Sequence, residues 1–166
     1  MRRKDREMPE EFALEVADKC EWAVMSMITP EGAPYSVPLS IARKGKWIYF
    51  HCARQGLKTD CLRENCQVCI VCVGDTNRGA ADEFTTEYES AIIQGCAREV
   101  TNDTVKVEAL RLICERHTPQ LMSQFDVAVA ESLPVTAIWK VSVDRITGKR
   151  KKYGRDGKEL KFGKRE

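Results

Sequence analysis

The stretch from Trp47 to Asp60, W-I-Y-F-H-C-A-R-Q-G-L-K-T-D, constrains the chain more than any other. Trp47, Ile48, Tyr49 and Phe50 are aromatic or β-branched and read as a buried strand. Gly56 lets the backbone turn tightly, and Leu57, Cys61 and Leu62 then recur at helical spacing. A strand that turns this quickly into a helix leaves unpaired backbone N–H groups and the positive end of a dipole at the helix start. Arg54 and Lys58 add two cations within about one turn of that point. Two readings stand: ordinary solvated charges on a connecting loop, or an anion site whose simplest occupant is a phosphate.

The rest of the chain supplies mostly strands. A helix is expected after Pro9, carrying Phe12, Leu14 and Val16 and ending near Cys20. Trp22 to Ile28 and Tyr35 to Ala42 read as two strands joined by T-P-E-G-A-P, and a turn at Lys44 to Lys46 leads into the strand at Trp47. Pro38 cannot donate to a ladder, so its strand is an edge there or its backbone faces something else. After a helix from Leu57 to Asn65 comes V-C-I-V-C-V, a continuous apolar run of strand type, and then a polar loop from Asp75 to Glu83. Tyr88 to Val100 is a long strand whose Gly95 suggests a bulge or a close backbone approach. Asn102 caps a helix over Asp103 to His117, Gln120 to Glu131 has helical character, and Val135 to Ile146 alternates as a last strand. Six strands with short turns and a few inserted helices describe a mainly β chain closing as a small antiparallel barrel, since an open sheet of this size would leave edges and a face uncovered.

Charge divides the chain unevenly. Of a net charge of +2, the segment Arg145 to Glu166 alone carries +7, from ten Lys/Arg against Asp156, Glu159 and Glu166. The reading is a barrel domain over residues 1–146 and a basic, partly flexible tail over 147–166, serving solubility rather than nucleic-acid binding. No stretch approaches the roughly 18 consecutive apolar residues of a membrane span, and the charged start lacks a signal-peptide core, so a cytoplasmic protein without a membrane partner is expected.

Eight cysteines without an export signal are read as reduced thiols. Cys66, Cys69 and Cys72 resemble part of a metal ligand set, but on a strand Cys69 faces away from the other two, which favours buried thiols and no metal. His117, at a helix end, reads as a dipole partner. His51 lies on the organising segment, positioned to reach whatever the anion belongs to, while Cys52 points to the other face and is not activated by it. No dinucleotide fingerprint, P-loop or nucleophile elbow is present.

Five segments in order, M-R-R-K-D-R-E-M at the start, P-Y-S-V-P-L-S at 34–40, Y-F-H-C-A-R-Q-G-L-K at 49–58, Y-E-S at 88–90 and I-T-G-K-R at 146–150, resemble the flavin-binding split barrels related to pyridoxamine phosphate oxidase, nitroimidazole-resistance branch. The resemblance implies a six-stranded split β-barrel and a homodimer holding FMN between its subunits. Lys58 then corresponds to the phosphate ligand, the backbone of Pro38, Leu39 and Ser40 to the strand along the flavin ring, and His51, Cys52 and Ala53 to the segment beside the ring and its ribityl chain. Tyr88 and Ser90 correspond to residues approaching across the dimer, and Trp139, Lys149 and Arg150 to contributions of the partner subunit. Leu57, before Lys58, departs from the more basic pattern of the oxidase branch. The implied function is an FMN-dependent, flavin reductase-like oxidoreductase acting on a small nitroaromatic substrate, with His51 as the catalytic side chain. A haem-binding barrel and a non-enzymatic flavin carrier are the alternatives.

Overall fold

The computed structural model describes residues 1–79 and 84–162. In chain order its elements are β1 (Glu7–Met8), α1 (Glu10–Lys19), β2 (Ala23–Ile28), β3 (Pro34–Leu39), β4 (Ala42–Lys44), β5 (Trp47–Ala53), α2 (Leu57–Glu64), β6 (Gln67–Arg78), β7 (Thr86–Glu99), α3 (Asp103–His117), α4 (Phe125–Ser132), β8 (Thr136–Ser142) and β9 (Arg145–Lys151). The strands form one antiparallel sheet in the order β3-β2-β6-β7-β8-β5-β4, with β9 pairing β7 and β1.

Side chains from opposite ends of that order meet. Leu39 of β3, Met25 of β2, Ile70 of β6, Ile93 of β7, Val141 of β8 and Phe50 of β5 belong to one buried cluster, and α1 adds Ala13, Val16 and Ala17. Strands this far apart in the order share a core only if the sheet curls around it, which makes the fold a split barrel. The terminal strands β3 and β4 are not hydrogen-bonded to each other; the chain passes between them through Ser40 and Ile41, and the sheet stays open there. A second cluster lies outside the barrel, where α3 and α4 set Leu110, Phe125 and Val129 over Ile138 of β8, with Tyr49 of β5 beside them.

The expected helices after Pro9 and over Asp103 to His117 are present, the latter capped by Asn102, whose side-chain oxygen accepts from the Val105 amide at 3.0 Å. Pro38 sits on an edge strand, since β3 pairs with β2 alone. Six expected strands become nine among the described residues. Tyr35 to Ala42 is interrupted at Ser40–Ile41, where the fully buried Ile41 carries the chain across the barrel. Val135 to Ile146 divides into β8 and β9. The expected loop from Asp75 is strand as far as Arg78, because a register shift between Val73 and Thr76 lets β6 continue beside Thr86 to Tyr88; its last positions, 80–83, lie outside the described residues. Gln120 to Glu131 splits into a 3-10 segment (Pro119–Gln124) and most of α4.

The tail boundary also moves. Residues 147–151 pair with β7 in mid-sheet, and the chain beyond folds back onto the N-terminal arm. Arg6 holds Glu159 through two hydrogen bonds, one of 2.9 Å, Lys161 reaches Asp5 at 3.0 Å, and the Phe162 amide donates to the Asp5 carbonyl at 3.1 Å. Opposite charges on the arm, invisible to a count confined to the tail, order it.

Two predictions follow from this packing. At Gly95 a Cβ would overlap the Ser142 carbonyl oxygen, the close approach that its place in a strand suggested. Gly95→Ala should destabilise the fold by about 1–3 kcal/mol, read as a lower denaturant midpoint at unchanged slope; an unmoved midpoint would mean that the backbones separate at no cost. At the tail, Arg6, and after it Lys161, lower the Glu159 pKa from 4.5 to about 2 against a smaller opposing effect of burial. A depressed carboxylate stabilises above its unfolded value and loses that contribution as pH falls through the folded one. Exchange protection at the Phe162 amide is therefore expected to fall between about pH 4.5 and about 2, and a flat profile in Glu159→Gln checks the assignment.

Candidate functional site

The side chains of β5 alternate. Ile48, Phe50 and Cys52 turn to the barrel core, while Tyr49 packs under the outer helices and His51 lies beside it on that face. His51 stands at the mouth of a cavity of about 270 Å³ whose walls include Leu110, Cys114, Met122, Phe125 and Thr136. Its ring makes no hydrogen bond among the described residues. Burial first, then the charges of Lys58 and His117, push its pKa below the ordinary 6.5, so the imidazole is neutral at pH 7. His117, at the end of α3, places Nε2 2.8 Å from the Ile41 carbonyl oxygen; a carbonyl can only accept, so Nε2 carries the proton.

At the start of α2, Gly56 with φ 127° serves as N-cap and offers no side chain to the helix. The Asp60 amide and the Thr59 hydroxyl both donate to the Gly56 carbonyl, at 3.1 and 2.7 Å. The amides of Leu57, Lys58 and Thr59 have no acceptor among the described residues. Lys58 is half-buried, its Nζ 5.9 Å from the Phe50 ring centroid, and it has no ion-pair partner there. Arg54, in contrast, is committed to the Pro134 carbonyl at 2.9 Å. The structure thus separates the two cations that the sequence grouped: one fastens the chain before β8, and the other stands free beside open amides, an arrangement suited to a phosphate.

Cys52, half-buried, lies against the Trp139 indole, and burial raises the pKa of its thiol. Trp139 is 2% exposed and its Nε1 has no aligned acceptor, which places this side chain in the core with no surface to offer a second subunit. Leu39 is likewise buried, whereas Pro38, Ser40 and Ala53 are exposed.

The remaining candidates sit elsewhere. Ser90 is opposite Lys149, whose Nζ lies 5.6 Å from the Tyr88 ring centroid. Arg150 pairs with the buried Glu89 at 3.2 Å without an aligned hydrogen bond, and stacks near Phe12 and Phe162. Lys19 also holds Glu89, so Arg150 is largely spent inside the chain. Glu99 is opposite Trp139, and from Ser90 to Glu99 is nine residues of β7, about 30 Å of strand at about 3.3 Å per residue. Within one chain Ser90 and Lys149 do not meet the Trp139 end of the sheet on a small ligand.

Beside Ser90 the outer face of the sheet is apolar. Pro38, Val24, Val71 and Ile92 form one row across four strands, and Trp22, Val24, Val73 and Ile92 are exposed. The sequence signal for this face was the unbroken run V-C-I-V-C-V: a strand with one solvated face alternates, and this one does not. The expectation of eight reduced thiols is also corrected at one pair. Cys66, just before β6, and Cys96 of β7 are joined with Cα atoms 4.8 Å apart, a proximity set by the register that places Gln67 opposite Cys96.

Comparison with known proteins decides the family. The sequence profile described as pyridoxamine 5'-phosphate oxidase matches residues 11–150. The chain belongs to the pyridoxamine 5'-phosphate oxidase family. Structures of the same fold include a candidate 5-nitroimidazole antibiotic resistance protein from Bacteroides thetaiotaomicron, 21% identical over 87% of this chain and 86% of that one, with a TM-score of 0.69. A flavocytochrome from Azotobacter vinelandii is 21% identical over 93% of this chain and 71% of its own, at a TM-score of 0.73. An FAD and haem binding protein from Mycobacterium smegmatis is 17% identical over 88% and 73%, at 0.74. No curated protein matches the chain. No helix among the described residues is long and apolar enough to cross a membrane.

Proposed function

We propose that this member of the pyridoxamine 5'-phosphate oxidase family binds FMN between the subunits of a homodimer and acts as a flavin-dependent oxidoreductase on nitroaromatic compounds of the 5-nitroimidazole type. The observation that carries this reading is that about 30 Å of β7 separates Ser90 and Lys149 from the Trp139 and Cys52 end of the sheet, with an exposed apolar sheet face beside Ser90. A two-fold dimer through that face is the simplest way to bring Lys58 of one chain near Ser90 and Lys149 of the other. The flavin-binding and nitroimidazole-resistance proteins of the same fold support the choice of cofactor and substrate.

The residues present fit such a group. Lys58 and the open amides of α2 would hold the phosphate, the exposed backbone at Pro38 and Ser40 would lie along the ring, and Cys52 and Ala53 would line the chain between. Tyr88, Ser90 and Lys149 would come from the second subunit, with Arg150 held in place behind them by Glu89. Flavin, when bound, supplies the electron transfer. His51 donates a hydrogen bond or relays a proton to the substrate as a neutral imidazole; its depressed pKa puts any rate change from its own protonation below pH 6.5.

Lys58→Ala should weaken FMN binding by on the order of 1–3 kcal/mol, roughly ten- to a hundredfold in dissociation constant by fluorescence titration; an unaltered constant would remove Lys58 from the phosphate site. For His51→Ala the expected outcome is full FMN occupancy with nitro reduction slowed by about 10²-fold. Equal turnover of variant and parent between about pH 5 and 8 would exclude His51 from the chemistry.

A second reading has one observation in its favour. Because His117 is committed to the Ile41 carbonyl, the unpartnered His51 at its apolar cavity is the histidine available to a haem iron, and haem-binding proteins share the fold. A Soret band in the purified protein separates this reading from the first.

A further inference from the structure

The cavity at His51 is built mainly by α3, α4 and the 3-10 segment between them, and its chemistry limits what it can hold. Among the described residues no Asp, Glu, Lys or Arg lines it. Three of its polar side chains have already spent their only proton on backbone carbonyls: Thr118 donates to Cys114 at 3.3 Å, and Ser132 to Ala128 and Thr136 to Ser132 at 2.8 Å each. The directional groups left to a guest are the Gln124 amide and the unpartnered imidazole of His51. The rest of the wall is apolar, and Phe125 gives it a flat surface. That ring is held by Arg111, which does not line the cavity, lies with its guanidinium 4.1 Å from the ring centroid and pairs with Asp126 at 3.0 Å. Leu121, half exposed, marks the open side. An ion would enter this space without a counter-charge, which burial penalises heavily, so the guest is neutral. Size narrows it further. A cavity of about 150 Å³ holds one benzene ring. This one, of about 270 Å³, has room for two fused rings.

We propose that this cavity binds a neutral, flat aromatic molecule of two fused rings, whose hydrogen-bond acceptor meets the His51 ring or the Gln124 amide, and that the body of the substrate sits here. This deepens the function proposed above: turnover rests on that reading, binding does not. The cavity wall then sets which nitroaromatic is taken, two-ring compounds over single five-membered rings and neutral compounds over carboxylates or sulfonates. Ala128 is the specificity-determining position. It lines the cavity from α4 yet is exposed, so a larger side chain there fills the space without overpacking the core. Val127, next to it, is 67% exposed and does not line the cavity.

The test is titration of the full chain, as purified, with quinoline in mildly alkaline buffer, where quinoline is neutral, followed by calorimetry and by amide NMR. The expected result is saturable binding that shifts the amides of Met122, Phe125 and Ala128. Pyridine, with one ring, and naphthalene-1-sulfonate, with two rings and a charge, should each bind at least about tenfold more weakly. Ala128→Phe should weaken quinoline binding by more than about tenfold and leave FMN affinity as in the parent, whereas Val127→Phe should leave both unchanged. With flavin bound, Ala128→Phe should raise KM for 5-nitroquinoline by more than about tenfold and change kcat little, sparing KM for a one-ring nitroimidazole. Quinoline binding that Ala128→Phe removes, in a protein that reduces no nitro compound, would cancel the reaction and keep the binding site. Absence of saturable binding, shifts confined to the sheet face around Val71 and Ile92, or equal affinity for quinoline and naphthalene-1-sulfonate would overturn the proposal.

Discussion

Strand β7 has three neighbours on two edges, and the barrel depends on how it divides them. One edge belongs to β6 for most of its length; the other serves β9 from Tyr88 to Gln94 and β8 from Ala97 to Glu99. Gly95 stands at the changeover, where the end of β8 at Ser142 passes so closely that no side chain fits. Because β8 leads on to β5 and β4, this one division lets the sheet turn from an open face into a curved wall. Everything assigned to the site hangs from the two halves it creates.

The halves differ in what they present. Around β5 and α2 the chain offers an uncapped helix start, a lysine without an ion-pair partner among the described residues and a neutral histidine, which suits an anionic ligand carrying a neutral ring. Around β9 and the first half of β7 it offers an apolar outer surface edged by Ser90 and Lys149, while the deeper charges of Glu89, Arg150 and Lys19 are satisfied internally. Neither half is a complete pocket. Such a division, with an exposed apolar face beside it, is what the proposed assembly of the site from two copies of one chain requires.

Much of this was legible in the residues themselves. The W-I-Y-F strand, the turn at Gly56 and the helix after it are local features, as is the opposite orientation of His51 and Cys52, because alternation along a strand needs no tertiary information. Pro38 announced an edge, and Gly95 a close approach. Pairings between distant segments were not legible. The Cys66–Cys96 bond depends on register, the Arg116–Cys20 hydrogen bond on how α1 and α3 meet, and the order in the tail on charges in the first few residues. Arg54 and Lys58 looked equivalent for the same reason: only the path of the chain near Pro134 shows which of them is committed.

The central claim is that two chains together hold one flavin at each paired site, and the most direct measurement is the absorption spectrum of the purified protein, with the released small molecule identified by mass. The account predicts flavin bands, FMN as the released molecule and about one per subunit. A colourless protein that also fails to take up added FMN would contradict it, leaving the split barrel in place without the chemistry assigned to it.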